Sequence, residues 1–311
     1  MAKTNQWPGI HVLGAGSMGL MIAARLQAAA SVVLLRRPGN WPASLQLQVQ
    51  RNGATTRCRL TQYGSDTAPA PISHLILCTK SIDALAALES LDSRVADDAQ
   101  LLLMQNGMGS QEAVVQHFPR ARIAAASTTE GAYRTAPDRV VHAACGLTRI
   151  GSLNRGDFDW AGLFRDAGME AGTVEDIRWH LADKLRVNVL INPLTALHGC
   201  LNGELLDRAE LLADMQALGQ EADAVLAAAG FRFGNTALEQ ASAVARSTAN
   251  NRSSMLQDVT AGRRTELDDI TGFLLELARR HGVPAPTHQA VYSRIQALTP
   301  APAHHRTDAA P

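Results

Sequence analysis

A glycine pattern near the start of the chain constrains its fold more than any other feature. Gly14, Gly16 and Gly19 lie in the run Gly14-Ala15-Gly16-Ser17-Met18-Gly19. The apolar residues 10–13 precede the run, and a helical stretch, 19–29, continues it. A second β-rich run covers residues 31–35. Alone, G-x-G-x-x-G is a weak match. Between a strand and a helix, inside a strand–helix–strand unit of roughly thirty residues, it is the dinucleotide-binding fingerprint. Gly14 makes the tight turn, Gly16 lets the backbone approach a diphosphate, and Gly19 lets helix and strand pack closely. The helix N-terminus favours the anionic diphosphate, with Ala15, Ser17 and Met18 beside it. The competing reading is a plain glycine turn.

The residue types after the second strand discriminate between cofactors. An NAD site usually has an acidic residue there, about twenty residues beyond the fingerprint, to hold the ribose 2′-hydroxyl. Here Arg36-Arg37 follow, with no Asp or Glu close by. Guanidinium groups suit a 2′-phosphate, so the expected cofactor is NADP (NADPH), although two arginines could also be ordinary surface residues.

The alternation of short apolar runs with helical stretches continues to about residue 126. Strands are expected over 74–79, 101–104 and 123–126, and helices over 82–90 and 111–117. Residues 45–60 mix polar β-formers and are expected to be irregular with short strands. Such alternation predicts a parallel sheet of the Rossmann type. Lys80 and Asn106 follow the third strand and the next one, at the carboxyl edge where open α/β sheets bind ligands.

From 132 to 152 the pattern becomes that of an antiparallel hairpin, and a short helix is expected over 160–166. From Ile177 nearly everything has helical period, with stretches at 204–229, 237–249, 255–259 and 267–281. The expected organisation is a cofactor domain over 1–175, an all-helical domain over 176–298, and a Pro/Ala-rich disordered tail over 299–311.

Composition closes several alternatives. Lys+Arg and Asp+Glu both number 29, leaving no charge argument for nucleic acid or an anionic membrane. The four cysteines, Cys58, Cys78, Cys145 and Cys200, lack metal or redox-motif spacing. No metal is expected. No apolar run of about 18 residues could span a bilayer, and a cytoplasmic protein is expected. His11, His142 and His198 are expected to be structural.

Within the helical half, residues 179–197 read WHLADKLRVNVLINPLTAL. Lys184, Asn188 and Asn192 are spaced i, i+4, i+8, which on a helix places them within an arc of about 80°. Buried ammonium and carboxamide groups require hydrogen-bonding company, and a substrate cleft supplies it. A solvated helix face explains the same stripe, and Asn192 before Pro193 also fits the N-cap of a new helix. Ser254-x-x-Gln257 fits a capping box, Asn251 a cap or turn, and Glu266 beside Arg263 and Arg264 a surface ion pair.

Four segments together resemble the ketopantoate reductase (2-dehydropantoate 2-reductase) family along nearly the whole chain. They are GAGSMG at 14–19, QNGMGS at 105–110, KLRVNVLINPLTALHGCLNGEL at 184–205 and NRSSMLQDVTAGRRTELDDITGF at 251–273. The resemblance implies a Rossmann domain, a helical domain and an active site in the cleft between them. It implies NADPH-dependent reduction of 2-dehydropantoate to (R)-pantoate, on the way to pantothenate and coenzyme A. In that correspondence Lys184 is the proton donor and Glu266 the active-site glutamate. Asn188, Asn192, Asn202, Asn251 and Ser254 bind substrate. Asn106 touches both substrate and cofactor, Arg36 and Lys80 lie on the phosphate side, and Ala132 is a backbone cofactor contact. The run from Leu267 to Gly272 departs from the family pattern, which has an aromatic residue and an Asn there. A reductase of another small 2-oxo acid and a non-catalytic NADP(H)-binding regulator remain open, as do the monomer and the homodimer.

Overall fold

The computed structural model describes residues 6–298, so the tail expected over 299–311 lies outside the described residues. The chain forms two compact units, divided between Leu181 and Ala182.

The first unit contains β1 (Ile10–Leu13), α1 (Ser17–Leu26), β2 (Val32–Arg36), β3 (Ser44–Arg51), β4 (Ala54–Gly64) and β5 (Ile72–Leu77). It continues through α2 (Ala84–Glu89), β6 (Val95–Leu103), α3 (Ser110–His117), β7 (Arg122–Thr128), β8 (Gly131–Ala136) and β9 (Arg139–Ala144). The last elements are β10 (Leu147–Ser152), α4 (Trp160–Asp166) and β11 (Glu170–Thr173). All strands join one sheet, in the order β11-β10-β7-β6-β5-β1-β2-β4-β3-β9-β8. The run from β7 to β4 is parallel throughout. Its central strands are buried on both faces where they read as continuous apolar stretches, such as Leu75-Ile76-Leu77 and Leu101-Leu102-Leu103, which are at most 1% exposed. Each such leucine contributes about 1.5–3 kcal/mol by leaving water. The strand order reverses beside β1: the chain first builds outward through β2, then returns to β5 on the other side. That switch point is where ligands bind such sheets.

The largest departure from expectation is at 45–60. Instead of irregular chain with short strands, β3 and β4 form a long antiparallel hairpin, with Arg51 opposite Ala54. Asn52 and Gly53 turn it with φ of 49° and 78°, the paired positive values of a type I′ turn. Leu47 and Val49 face the core while Gln46 and Gln50 are exposed. The alternation was present, and the glutamines obscured it. The hairpin expected over 132–152 forms only in part. β8 and β9 pair at one edge of the sheet, whereas β10 pairs antiparallel with β7 near the opposite edge.

The second unit is helical: α5 (Ile177–His198, which runs through the division), α6 (Glu204–Asp207), α7 (Ala209–Ala228), α8 (Ala237–Ser247), α9 (Ser254–Thr260), α10 (Phe273–His281) and α11 (Pro286–Leu298). The expected helix over 204–229 is interrupted at Arg208, whose φ and ψ of −106° and 115° are extended. The cap expected at Asn192 does not form. Asn192 and Pro193 lie inside α5. The proline withholds the bond that the Val189 carbonyl would accept. The helix nonetheless continues, because residues 192–195 are all buried and Thr195 Oγ1 donates to the Ile191 carbonyl at 2.8 Å. The capping box expected at Ser254 does not form, and the cap lies one residue earlier. Ser253 is the cap, its Oγ accepting from the Leu256 amide at 3.1 Å, and that Oγ lies 2.7 Å from Thr195 Oγ1, within hydrogen-bonding distance. The segment Asp268–Gly272 is a π-helical turn leading into α10. Tyr292 donates to Asp268 there at 2.6 Å.

Candidate active-site residues

The fingerprint glycines occupy positions where a side chain would collide or where space is left open. Gly14 has φ of 110°, and a Cβ on it would lie 2.8 Å from the Thr79 amide nitrogen. The ends of β1 and β5 therefore meet at this turn. A Cβ on Gly19 would lie 1.9 Å from the Gly14 carbonyl oxygen, so α1 can start this close to β1 only with glycine there. Gly16 differs, since its Cβ would meet nothing nearer than 4.0 Å. It begins α1 without a side-chain cap, and the first turn, which holds Ser17 and Met18, carries no acidic residue. Uncapped amides beside open space at a helix N-terminus fit a diphosphate.

Arg36 ends β2. Its guanidinium stacks 4.4 Å from the Trp41 ring centre, and Trp41 Nε1 donates to the Arg37 carbonyl at 3.0 Å. Arg36 Nε is buried with no hydrogen-bond partner. Burial, and then the charge of Arg134, hold the Arg36 pKa below the usual arginine range, though an arginine remains charged. Arg134 Nη1 in turn donates to the Ala15 carbonyl at 3.1 Å. Lys80 immediately precedes a single 3₁₀ turn after β5. Asn106 belongs to a loop fixed by its neighbours. Gln105 Nε2 donates to the Leu77 carbonyl at 2.9 Å, Gln111 Nε2 to the Gly107 carbonyl at 3.3 Å, and Gly107 and Gly109 have φ of 78° and 101°. Ala132 lies where the β8–β9 register shifts, a bulge that re-aims local backbone groups.

In the second unit, α5 carries Lys184, Asn188 and Asn192 as the spacing predicts. Asn192 is buried, whereas Lys184 and Asn188 are partly buried. Burial pushes the Lys184 ammonium down to about 8, against the opposing pull of the Glu266 carboxylate. Desolvation thus outweighs a nearby opposite charge. Glu266 acts on Lys184. Of the neighbouring arginines, Arg263 Nε bonds Asp258 at 2.9 Å, and Arg264 lies 3.9 Å from Asp268.

Asn202 and Asn251 are drawn together by backbone. The Asn202 amide donates to the Asn251 carbonyl at 3.0 Å, and the Gly203 amide to the Ala249 carbonyl at 3.0 Å. Asn202 Nδ2 donates to Thr248 Oγ1 at 2.9 Å, while its Oδ1 is buried and has no partner. A buried acceptor left this way costs about 1–3 kcal/mol, and a hydroxyl or amide donor from a ligand would relieve it. Asn251 and Ser254 are exposed. Among the described residues no group of three His, Cys, Asp or Glu is placed to hold a metal ion, and no helix is long and apolar enough to cross a membrane.

Sequence reasoning did not single out Trp41, Gln105, Gln111, Arg134, Thr248 or Ser253. Gln105, Arg134, Thr248 and Ser253 make contacts between distant segments, whereas Trp41 and Gln111 bond carbonyls four residues away. The one local signal was Ser253, adjacent to the serine selected as a cap.

Comparison with known proteins identifies relatives of the whole chain. Residues 10–155 match the family model described as "Ketopantoate reductase PanE/ApbA", and residues 176–299 match "Ketopantoate reductase PanE/ApbA C terminal". The 2-dehydropantoate 2-reductase of Vibrio cholerae is 33% identical over 296 residues, covering 93% of this chain and 97% of that protein. A probable 2-dehydropantoate 2-reductase from Bacillus subtilis has a similar structure, with TM-score 0.78 and 30% identity over 93% of this chain and 99% of that one. D-mandelate dehydrogenase, solved with NADH and anilino(oxo)acetate, shares the fold, with TM-score 0.84 at 21% identity over 93% and 98% of the two chains. Two family models in succession, and a relative aligned over nearly its full length, mean that the chain belongs to the ketopantoate reductase family of oxidoreductases.

Proposed function

We propose that the protein reduces 2-dehydropantoate to (R)-pantoate with NADPH, a step towards pantothenate and coenzyme A. The observation that carries this reading is Lys184, a desolvated lysine held near 8 with Glu266 acting on it. Bound NADPH supplies the hydride. The chain's own residues do the rest. As the C2 carbonyl is reduced, negative charge builds on its oxygen, and the Lys184 ammonium stabilises that charge and donates the proton. A lysine at about 8 is about ten-to-one protonated at pH 7, yet it gives up its proton far more readily than an ordinary lysine. Glu266 keeps the ammonium charged and orients it. Asn188, Asn192, Asn202, Asn251 and Ser254 hold the substrate hydroxyl and carboxylate without adding charge. The orphaned Oδ1 of Asn202 is the acceptor for a substrate hydroxyl.

On the cofactor side, the α1 N-terminus with Gly14 to Gly19 binds the diphosphate. Arg36 and Lys80 bind the phosphate groups of the adenosine end, Asn106 holds the nicotinamide end, and the Ala132 backbone adds a contact. In this reading residues 1–175 form the cofactor domain and 176–298 the substrate domain.

The test is oxidation of NADPH and of NADH by the purified protein with 2-dehydropantoate and with other branched 2-oxo acids. Fastest turnover with NADPH and 2-dehydropantoate is the expected result. Preference for a different 2-oxo acid would instead support a related reductase. NADPH binding without turnover of any 2-oxo acid would sink both enzyme readings.

A further inference from the structure

Arg134 is a charged residue that the family resemblance did not assign. It reaches from β8 to the fingerprint loop, where its Nη1 donates to the Ala15 carbonyl at 3.1 Å. Its charge also acts on Arg36, at the end of β2 and far away in sequence. Among the described residues neither arginine has a carboxylate partner. Two guanidinium groups held close together repel, and a protein surface usually places an acid between them.

Arg36 is restrained in a particular way. Trp41 covers one face of its guanidinium at 4.4 Å, and Trp41 is itself anchored on the Arg37 carbonyl. Stacking leaves the in-plane donors of Arg36 uncommitted to Trp41, and its buried Nε has no partner within the protein. Arg134 uses one donor of its fork on Ala15. The two cations stand near the loop that takes the diphosphate and near the strand end that takes the ribose. A doubly charged phosphate is the ligand that satisfies both, since it accepts from two forks and removes their repulsion.

We propose that Arg134 is a specificity-determining residue which, with the Trp41-braced Arg36, forms a two-arginine clamp for the 2′-phosphate of the nucleotide. The inference rests on the cofactor reading above. It goes further in assigning selectivity to a residue of β8 and to the tryptophan brace, in addition to the arginine at the end of β2. It also gives a structural reason for β8 and β9 to lie at the sheet edge that carries β3 and β4, where α1 packs against β8 and β9.

The experiment is calorimetric titration of the full chain with two fragments, adenosine 2′,5′-bisphosphate and adenosine 5′-monophosphate, which need no substrate and no turnover. Arg134→Ala is expected to weaken the bisphosphate by at least about tenfold, the loss of one charge-assisted hydrogen-bonding group. The monophosphate is expected to change by less than about threefold. Trp41→Leu should lose part of the same discrimination, and Arg134→Lys should restore part of it. Thermal melting of each variant separates folding defects from binding defects. An unchanged bisphosphate affinity in a folded Arg134→Ala protein overturns the proposal. So does an equal loss for both fragments, which would place Arg134 on the 5′ side alone. If the wild-type protein binds neither fragment, the cofactor reading itself fails.

Discussion

Replacing Lys184 by methionine should stabilise the protein at neutral pH while removing its activity, and the gain should shrink as the pH rises. The ammonium has an ordinary value of 10.5 and is pushed down to about 8 in the folded chain, with Glu266 already opposing the shift. That displacement corresponds to about 3 kcal/mol of penalty on the charged form. The folded pKa is here the lower one. Below about 8 both folded and unfolded chains carry the proton, so the penalty acts in full. Between about 8 and 10.5 the folded state releases its proton while the unfolded state keeps it, and stability rises with pH. Above that window the penalty is gone. Methionine fills a similar volume and carries no charge. Urea denaturation of wild type and Lys184→Met at pH 7 and pH 9.5 should show the difference in unfolding free energy moving by about 2 kcal/mol, in favour of wild type at the higher pH. The difference between the two proteins cancels the titrating groups that do not interact with Lys184. A difference that stays constant over that range would mean Lys184 is solvated like a surface lysine, and the desolvation argument would be refuted.

Two further outcomes follow from the geometry. Gly19→Ala places a Cβ 1.9 Å from the Gly14 carbonyl oxygen, a backbone atom. Overpacking of that kind costs about 1–3 kcal/mol, so the variant should melt earlier and lose nucleotide affinity, as differential scanning calorimetry and fluorescence titration would show; wild-type melting and binding would contradict the close-approach reading. Because the Glu266 charge raises the Lys184 value, the wild-type rate should fall as the pH passes about 8, and Glu266→Gln should move that falling limb to lower pH. A limb that stays in place would remove Glu266 from the proton-donor pair.

Much of this was legible in the sequence, and the reasons are specific. The fingerprint could be read because each glycine answers a local steric demand. The parallel strands could be read because burial on both faces leaves uninterrupted apolar runs. The stripe on α5 could be read because helical spacing is rigid, and the helix that carries it continues past Pro193. The same proline made Asn192 look like a cap, since a local rule cannot see that burial of residues 192–195 keeps the helix going. The β3–β4 hairpin was missed although Asn52-Gly53 is a strong turn signal, because polar residues on the outer face masked the alternation of Leu45, Leu47 and Val49. Nothing local could reveal Arg134 against Ala15, or Asn202 against Thr248, since those pairs exist only once distant segments fold together.

In the proposed reaction Lys184 gives the proton that completes carbonyl reduction. Its most direct test is the steady-state rate of NADPH oxidation with saturating 2-dehydropantoate, compared between wild type and Lys184→Ala, with NADPH affinity measured in parallel. The expected result is a loss in kcat of at least about a hundredfold, the scale of a positioned general acid, with NADPH binding essentially unchanged. A variant that turns over 2-dehydropantoate at close to the wild-type kcat would contradict it.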